Sequence, residues 1–380
     1  MTYSTSLQNH SAIDDGISID IKNMVKEKGK TCISIIIPTH RIGSDRQGDH
    51  LEIERSVLVA KNLVQYEPKL LKAIDALLET IDYTHNKEGL GLFVSLNIKK
   101  LIKFPFPVTK KVVVSKYFHL HDLINIENYK VHYYLLDLSK KEIRLFHGVM
   151  DLLEEITENN FPKKIIEEYE YNKPSQSTSY AGYAHEKGFE KDKSILQQIR
   201  LKNIFNEADK SLLKFLGTKN HPLILCGSTK VVDLYKSVTD FSDNIVAIIS
   251  DNFQYTDIHE LEIFAWEQIQ SFIDRQKLKL VNEFKEKIGE GLGVYGIEDV
   301  WQATREGKGF KLLVEKDYGK PAFVTRDNKL LLKGPQEKYT RHSDVVNDII
   351  TTVLEKNGNV TILEKDNLKD YKRIALINRY

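Results

Sequence analysis

The order of apolar and polar positions predicts alternating strands and helices at the start of the chain. The apolar run CISIIIP, residues 32–38, predicts a buried strand, and residues 45–66 and 71–81 have the spacing of amphipathic helices. In the first helix the apolar face is expected to contain Val57, Leu58, Leu63 and Val64. Further apolar runs predict strands at 89–95, 100–106 and 110–118. The order β-α-α-β-β-β is typical of an α/β domain, which we expect to end near residue 126.

The next region repeats this alternation around one long interruption. Two apolar runs within residues 130–148, joined by a polar turn, predict a β-hairpin. Residues 163–193 have little sustained periodicity, which predicts a long functional or mobile loop. The elements predicted after it are a helix at 194–216, a strand at 223–226, a helix at 229–237, a strand at 245–249 and a long helix at 259–288. They indicate a second α/β domain.

The glycines of residues 291–314 fit a nucleotide-binding pattern by letter only. Gly291, Gly293 and Gly296 match G-x-G-x-x-G, but a dinucleotide site of that type follows a strand, and here a long helix precedes the glycines. A helix at 297–305 and a strand at 310–314 are predicted after them. We therefore interpret the glycines as a tight turn between helices, where glycine readily adopts positive φ.

The same segment carries a resemblance to a protein family. GIEDV, residues 296–300, followed by Ala303 and an apolar strand, resembles the start of the C-terminal domain of archaeal and eukaryotic class-I release factors and Pelota. Residues 358–363 and 371–380 resemble the last two strands of that domain, residues 221–235 resemble part of the middle domain, and residues 89–95 resemble part of the N-terminal domain. The collinear order, over roughly residues 30–380, resembles the bacterial archaeo-eukaryotic release factor family.

This resemblance implies an α/β fold of three domains, laid out as in release factors and Pelota. We expect an N-terminal α/β domain at 1–126 and a middle α/β domain at 127–276 that contains the loop 163–193. The C-terminal domain, 277–380, is expected to have the fold of kink-turn-binding ribosomal proteins.

Charge and composition are typical of a globular protein rather than a polycation. The chain has 380 residues, a net charge of +1, and 41% hydrophobic and 29% charged residues. Basic and acidic residues number 17 and 14 in the first predicted domain, 18 and 24 in the middle one, and 20 and 16 in the last. Mildly basic ends allow local contacts with RNA phosphates but not broad non-specific attraction.

Signals for membranes, disulfides and metals are weak. No apolar run approaches the roughly 20 residues of a membrane span, and the N-terminus has no signal-peptide pattern, so we expect a cytoplasmic protein. Cys32 and Cys226 lie in apolar runs and are expected to be buried thiols. His119 and His121 have a strand-like spacing without a third ligand nearby, so we expect no metal site, and no cofactor is expected either.

Two hallmark motifs of release factors are missing. In that superfamily the long middle-domain loop carries Gly-Gly-Gln, which promotes hydrolysis of peptidyl-tRNA, and this sequence has no Gly-Gly-Gln. The stop-codon-reading motif Asn-Ile-Lys-Ser is matched only in part, because Asn97, Ile98 and Lys99 are followed by Lys100 in a predicted β-hairpin. The resemblance therefore does not extend to the residues for peptide release or codon reading.

The long loop nevertheless offers groups that suit RNA contacts. Gln176 and His185 are weak candidates for catalysis, because a catalytic base needs a fixed partner that a mobile loop does not guarantee. Candidates for stacking on bases or for contacting phosphates are Tyr180, Tyr183, His185 and Lys187. The alternative is a solvated linker that contacts nothing.

Two further groups are candidate binding residues. The RNA-binding lysines, expected to crowd one hairpin as a basic ridge, are Lys99, Lys100, Lys103, Lys110 and Lys111. Their alternative role is a solvated edge that prevents aggregation. The possible ligand loop after the first strand contains Thr39, His40 and Arg41, with Arg46 nearby. Its motif, PTHR, resembles one of the same bacterial family, and its alternative is a turn that satisfies backbone groups.

These features predict a ribosome-associated factor. We expect it to bind rRNA at the A site of stalled or idle ribosomes, for rescue or hibernation, without intrinsic peptide release. The resemblance also implies delivery by a translational GTPase. One alternative is an enzyme, a peptidyl-tRNA or RNA hydrolase that uses Gln176 or His185, and another is a scaffold that does not bind RNA. The sequence leaves the oligomeric state open.

Overall fold

The chain folds into two compact units. The computed structural model describes residues 19–27, 31–41, 46–139, 141–165, 185–217, 220–250, 258–333 and 340–380. Unit 1 combines Met1–Lys130 with Ile273–Tyr380, and unit 2 is Val131–Phe272. The first and third predicted domains thus lie together in unit 1, and their division into separate domains stays a prediction. Within the described ranges, no helix has the length and apolar character needed to cross a membrane.

The first part of unit 1 contains the predicted strands and helices. In chain order its elements are α1 (Ile21–Lys26), β1 (Cys32–Pro38), α2 (Arg46–Leu63), α3 (Pro68–Leu78), β2 (Gly89–Val94), β3 (Lys99–Phe104), β4 (Lys111–Ser115) and α4 (His121–Tyr129). The order β-α-α-β-β-β is confirmed for β1 to β4. Helix α4 follows, in a segment where the apolar pattern predicts no helix.

Strands β1 to β4 form one antiparallel sheet in the order β3-β2-β1-β4. Strand β3 pairs with β2 and strand β4 pairs with β1, so β3 and β4 lie at opposite edges. The prediction of one hairpin for the lysine-bearing strands is therefore wrong. Apolar runs identify strands but do not show which of them pair.

One face of this sheet packs against α2 and α3, and alternate isoleucines of β1 are fully buried there. Val57 of α2 and Val64, which directly follows it, are each 3% exposed, as expected, but Leu58 and Leu63 are each 60% exposed. The prediction for these two leucines is wrong because of helical geometry. At 3.6 residues per turn, Leu58 and Leu63 lie about 100° and 120° to either side of Val57, whereas Val64 lies directly below it.

Unit 2 is built around a mixed sheet. Its elements are β5 (His132–Leu138), β6 (Glu142–Val149), β7 (Leu152–Ile156), β8 (Lys163–Lys164), α5 (His185–Leu216), β9 (Leu223–Gly227), α6 (Thr229–Lys236), β10 (Ile245–Ile249) and the first part of α7 (Ile258–Gly289). The strand order is β10-β9-β5-β6-β7, with β8 on β6, and β10, β9 and β5 run parallel.

The structure of unit 2 confirms the predicted hairpin and the alternation after it. Strands β5 and β6 pair antiparallel, and helices and strands follow at the predicted places up to α7. The predicted loop 163–193 is too long, because β8 occupies its start and α5 begins at His185 rather than at 194. Its central part, residues 166–184, lies outside the described residues.

The second part of unit 1 has a small mixed sheet covered by helices. After α7 its elements are β11 (Gly293–Tyr295), α8 (Ile297–Arg305), β12 (Gly309–Glu315), β13 (Ala322–Val324), β14 (Leu330–Leu331), β15 (Thr340–His342), α9 (Val345–Glu355), β16 (Asn359–Leu363) and β17 (Ile374–Asn378). The main sheet has the order β11-β17-β12-β16, and β14-β13-β15 forms a second sheet. Helix α8, strand β12 and the two closing strands confirm the predicted elements.

The glycine segment after α7 is more than the predicted turn. Gly291 and Gly296 have φ values of 77° and 84°, which the turn interpretation requires. Between them, however, β11 pairs antiparallel with β17 at the edge of the main sheet. The segment therefore joins α7 to α8 through an edge strand.

Lys277 of α7 is a buried amine within unit 1. The residue is 5% exposed, and its Nζ donates to Asn125 Oδ1 at 3.2 Å. The same Nζ lies 3.7 Å from the centroid of the Tyr129 ring and 3.7 Å from Asp274 Oδ1. Burial lowers the pKa of Lys277 to about 8, although the charge of Asp274 acts in the opposite direction. The amine is therefore held in its charged form at neutral pH at a desolvation cost.

Raising the pH through 8 should stabilise the wild type relative to a Lys277→Met variant. The unfolded chain keeps the lysine proton up to a pKa of about 10.4, whereas the folded chain loses it near 8. Between these values the unfolded state holds more protons, so the contribution of Lys277 to stability rises with pH and is lost as the pH falls through 8. Between pH 7 and pH 9.5 we expect the difference in unfolding free energy to shift in favour of the wild type by about 2 kcal/mol.

Urea unfolding at pH 7 and pH 9.5 measures this difference. The control is Lys279→Met, because Lys279 is an exposed lysine of the same helix. If wild type and Lys277→Met change in parallel with pH, the buried amine does not have the lowered pKa.

Candidate functional site

The loop after β1 is fixed by hydrogen bonds to two other segments. Thr39 donates its backbone N–H to the Glu88 carbonyl at 3.2 Å and its hydroxyl to the Lys87 carbonyl at 2.8 Å. His40 donates its backbone N–H to Asp49 Oδ2 at 2.9 Å, and its Nδ1 lies 2.8 Å from Asp49 Oδ1. These hydrogen bonds are the ones expected if the loop is a structural turn, which is the alternative to a ligand loop. Ligand binding there stays a prediction.

Asp49 of α2 is the acceptor around which this loop is built. The residue is 3% exposed, and its Oδ2 also accepts from Asn86 Nδ2 at 2.9 Å. Arg41, next in the loop, pairs through Nε with Glu88 Oε1 at 2.9 Å. Arg46 begins α2, and its side chain lies outside the described residues. Sequence reasoning missed Asp49, Asn86 and Glu88, because no motif connects them to the loop.

The imidazole of His40 is both oriented and accessible. Its side chain is 46% exposed, while its partner Asp49 is buried. A carboxylate at Nδ1 favours the tautomer with the proton on Nδ1 and the lone pair on Nε2. An imidazole held in this way can accept a proton, or bind an anionic oxygen when it is charged.

The candidate lysines of β3 differ in their surroundings. Lys99 and Lys100 are exposed at the start of the strand, directly after the turn formed by Asn97 and Ile98. That turn lies between β2 and β3, which confirms the predicted β-hairpin. Lys103 is half-buried, and its Nζ donates to the carbonyls of Asp82 and His85 at 3.2 and 2.8 Å. Burial lowers the pKa of Lys103. Lys99 and Lys100 are therefore the lysines best placed for contacts outside the chain.

Lys110 and Lys111 lie at the other edge of the sheet and take part in ion pairs. Lys110 pairs with Glu52 of α2. Lys111 pairs with Asp122 at 3.3 Å and Asp317 at 2.7 Å. Burial alone would lower the pKa of Lys111, but the two carboxylates raise it above its ordinary value. The five lysines thus do not form one ridge, although RNA binding by any of them stays a prediction.

Most candidates of the long loop fall outside the described part of the chain. This applies to Gln176, Tyr180 and Tyr183. His185 and Lys187 lie in the first turn of α5, but their side chains are outside the described residues. Their proposed roles stay predictions.

Unit 1 contains a pocket of about 770 Å³ that sequence reasoning did not predict. Its walls come from β4, the segment between β4 and α4, the segment after β12, strand β15 and the start of α9. These segments are far apart in the sequence, so no local motif reveals them. Charged and imidazole groups face each other there, among them Lys111, His119, His121 and Asp344.

His119 and His121 form the most unusual feature of this pocket. Their rings stack with centroids 4.7 Å apart, and both residues are buried. Burial lowers the pKa of each imidazole, and the charge of Lys111 lowers both pKa values further. The expectation that no third metal-ligating residue lies nearby is wrong, because Asp344 brings a carboxylate to the pair. Asp344 is 223 residues after His121, and a separation of this size gives no spacing signal.

Comparison with known protein families identifies one match. Residues 132–308 match the model of bacterial archaeo-eukaryotic release factor family 3. This region runs from β5 through α8 and confirms the resemblance that the sequence motifs predict. No curated protein sequence matches the chain at a significant level.

Several solved structures are remotely similar to the chain. Archaeoglobus fulgidus Pelota is 15% identical over 77% of this chain and 84% of that chain, with a TM-score of 0.40. The archaeal translation termination factor aRF1 is 15% identical over 96% and 98%, with a TM-score of 0.25. Archaeal Pelota in a model of its ribosome-bound form with ABCE1 is 13% identical over 95% and 93%, with a TM-score of 0.38. These scores are too low to support a functional conclusion.

Replacing Asp49 with Ala should unfold the loop after β1 and destabilise unit 1. The change removes the acceptor of the His40 backbone N–H and of the Asn86 amide, and each buried donor left unpaired costs about 1–3 kcal/mol. We expect the free energy of unfolding to fall by about 2–4 kcal/mol in a urea titration. The matched control is Glu54→Ala on the same helix, because Glu54 is 57% exposed and its contact with His50 spans 3.6 Å. Equal stability of Asp49→Ala and Glu54→Ala would show that Asp49 does not organise the loop.

Proposed function

We propose that this chain, whose residues 132–308 match a family of bacterial release-factor-like proteins, binds the A site of stalled or idle ribosomes without releasing the peptide. The family match is the observation that carries the proposal. It covers the whole region between β5 and α8, including the place where release factors carry their catalytic loop. A factor that fits the A site would serve ribosome rescue or hibernation.

The lack of peptide release is argued from the sequence of that loop. Release needs a glutamine amide and backbone placed closely against the attacking water, which two preceding glycines permit. This sequence has no Gly-Gly-Gln, and Gln176 stands between two serines. A side chain on each neighbour restricts the backbone, so the same close approach is not expected.

Contacts with ribosomal RNA are proposed at the β2–β3 hairpin. Lys99 and Lys100 are consecutive exposed residues at its tip. Because successive side chains alternate along a strand, theirs point to opposite faces. Two phosphates contacted in this way would give binding a moderate salt dependence, since each contact releases condensed counterions. A net charge of +1 is consistent with local contacts of this kind.

The proposal also implies a cellular compartment and a protein partner. A factor that binds ribosomes would work in the cytoplasm. The resemblance to release factors implies delivery by a translational GTPase. We therefore include such a GTPase as a partner in the proposal.

A hydrolase is the second candidate function, and the loop after β1 favours it. His40 has the oriented, half-exposed imidazole that a general base needs, with Asp49 as its orienting partner. The substrate in that case would be RNA or peptidyl-tRNA, because the family match is to release-factor-like proteins.

A release and competition assay separates the two functions. Purified protein is added to ribosomes that carry labelled peptidyl-tRNA and an empty A site. We expect no peptide release above background, and we expect the protein to reduce binding of aminoacyl-tRNA to the A site in proportion to its concentration. Intact labelled RNA after the incubation is also expected.

Variants assign any activity that does appear. Peptide release that is lost in Gln176→Ala or His185→Ala would make the long loop a hydrolytic site. Release or RNA cleavage that is lost in His40→Gln, but kept in the exposed-residue control His50→Gln, would place it at the His40–Asp49 pair. Failure to compete with aminoacyl-tRNA would contradict the A-site proposal itself.

A further inference from the structure

Two histidines and one carboxylate converge in the pocket of unit 1. His119 and His121 come from the segment before α4 and the first residue of α4, and Asp344 precedes α9 as its N-cap. One ligand atom from each residue lies within 4.8 Å of the others. A metal ion that binds three ligands needs only a small inward movement of these side chains, because ligand atoms around zinc are held at about 2.0–2.2 Å from the ion.

His121 already has the orientation of a metal ligand. Its Nε2 lies 3.1 Å from the Tyr318 carbonyl, which only accepts hydrogen bonds, so Nε2 carries the proton. The lone pair is therefore on Nδ1, and this buried atom has no hydrogen-bond partner. A carbonyl that fixes the second ring nitrogen in this way is a regular companion of metal-bound histidine.

His119 contributes the second unpaired nitrogen of the stacked pair. Its Nε2 is buried without a hydrogen-bond partner, and the closest carboxylate oxygen in an ion-pair geometry, Asp122 Oδ2, is 3.8 Å away. Leaving a buried polar atom unpaired costs about 1–3 kcal/mol, and two such atoms in one stacked pair require an explanation. A metal ion bound to both nitrogens and to the nearby carboxylate of Asp344 would satisfy these atoms.

The backbone that carries the histidines is held in place independently of any ligand. Ser34 Oγ accepts the backbone N–H of His119 at 2.9 Å. Asn347 accepts the N–H of Leu120 at 2.9 Å and donates to the Phe118 carbonyl at 2.9 Å. The ligand geometry is thus set by the fold, which lowers the entropic cost of binding an ion.

Asp344 is held in a similar way. Its Oδ1 accepts the backbone N–H groups of Lys320 at 3.2 Å and of Val346 at 3.1 Å. Residue 319 is glycine, and a Cβ there would lie 3.2 Å from Asp344 Oδ2. Glycine therefore leaves the second carboxylate oxygen room to approach an ion.

We propose that His119, His121 and Asp344 bind a divalent transition-metal ion, with Zn²⁺ as the expected occupant. Two imidazoles and one carboxylate are the ligand types that suit Zn²⁺ and related ions, and three protein ligands leave a position for water. The opposing charge of Lys111 is offset by its pairs with Asp122 and Asp317. The ion would tie the start of α4 to the start of α9 and so stabilise unit 1. This inference does not depend on the proposed ribosomal function.

Metal binding to the full chain tests the site. Protein stripped with EDTA is mixed with ZnCl₂, passed through gel filtration, and its zinc is measured by mass spectrometry. We expect one zinc per chain and a rise in Tm that disappears with EDTA. Co²⁺ in place of zinc should give visible absorption bands typical of a low-symmetry site with nitrogen ligands, whereas Mg²⁺ should not compete, because imidazole is a poor ligand for it.

Variants decide which residues bind the ion. Asp344→Asn keeps an oxygen acceptor for the two backbone N–H groups, so it should fold, and zinc affinity should fall at least about tenfold. His121→Gln should have the same effect. The control is His342→Gln, because His342 lines the same pocket but pairs with Asp348; it should bind zinc as the wild type does. No retained zinc in the wild type, or unchanged affinity in a folded Asp344→Asn variant, would overturn the proposal.

Discussion

One buried amide fixes the segment before α4 against α9 in unit 1. Asn347 of α9 is bonded on both sides to the backbone of the segment before α4, at Leu120 and at Phe118. Breaking either bond would leave a buried polar group unpaired, at about 1–3 kcal/mol, so the segment has one position relative to the helix. From that position follow the start of α4, the stacking of His119 on His121, and the walls of the pocket.

Further polar bridges connect the first and last parts of the chain within unit 1. Asp317 accepts from Lys111 and from Thr109, and Asn128 of α4 bonds to both neighbours of Thr361 in β16. Polar pairs of this kind favour one arrangement, because that arrangement pairs all of these groups at once. They explain why segments more than two hundred residues apart form a single compact unit.

The sequence predicted elements well where a signal is local. Apolar runs such as 32–38 and 223–226 gave strands, and the helix at 297–305 was placed correctly. Predictions failed where contacts between segments distant in the sequence determine the structure. Strands β3 and β4 carry their lysines at opposite edges of the sheet, which no local signal shows. The error at Leu58 has a different cause, because its position about 100° from Val57 around the helix follows from the sequence spacing itself. The candidate sites show the same limit. PTHR was recognised, but the acceptor Asp49 was not, and His119 and His121 were noticed without Asp344.

The central claim is that this chain binds ribosomes, and sucrose-gradient sedimentation tests it most directly. Tagged protein from lysates of growing and starved bacterial cells should migrate with 70S particles, with a larger share in starved cells. Lys99→Gln with Lys100→Gln should reduce this share as salt is raised, whereas Lys69→Gln with Lys72→Gln, the same charge change on exposed residues of α3, should not. Protein that stays at the top of the gradient in both kinds of lysate at low salt would contradict the account.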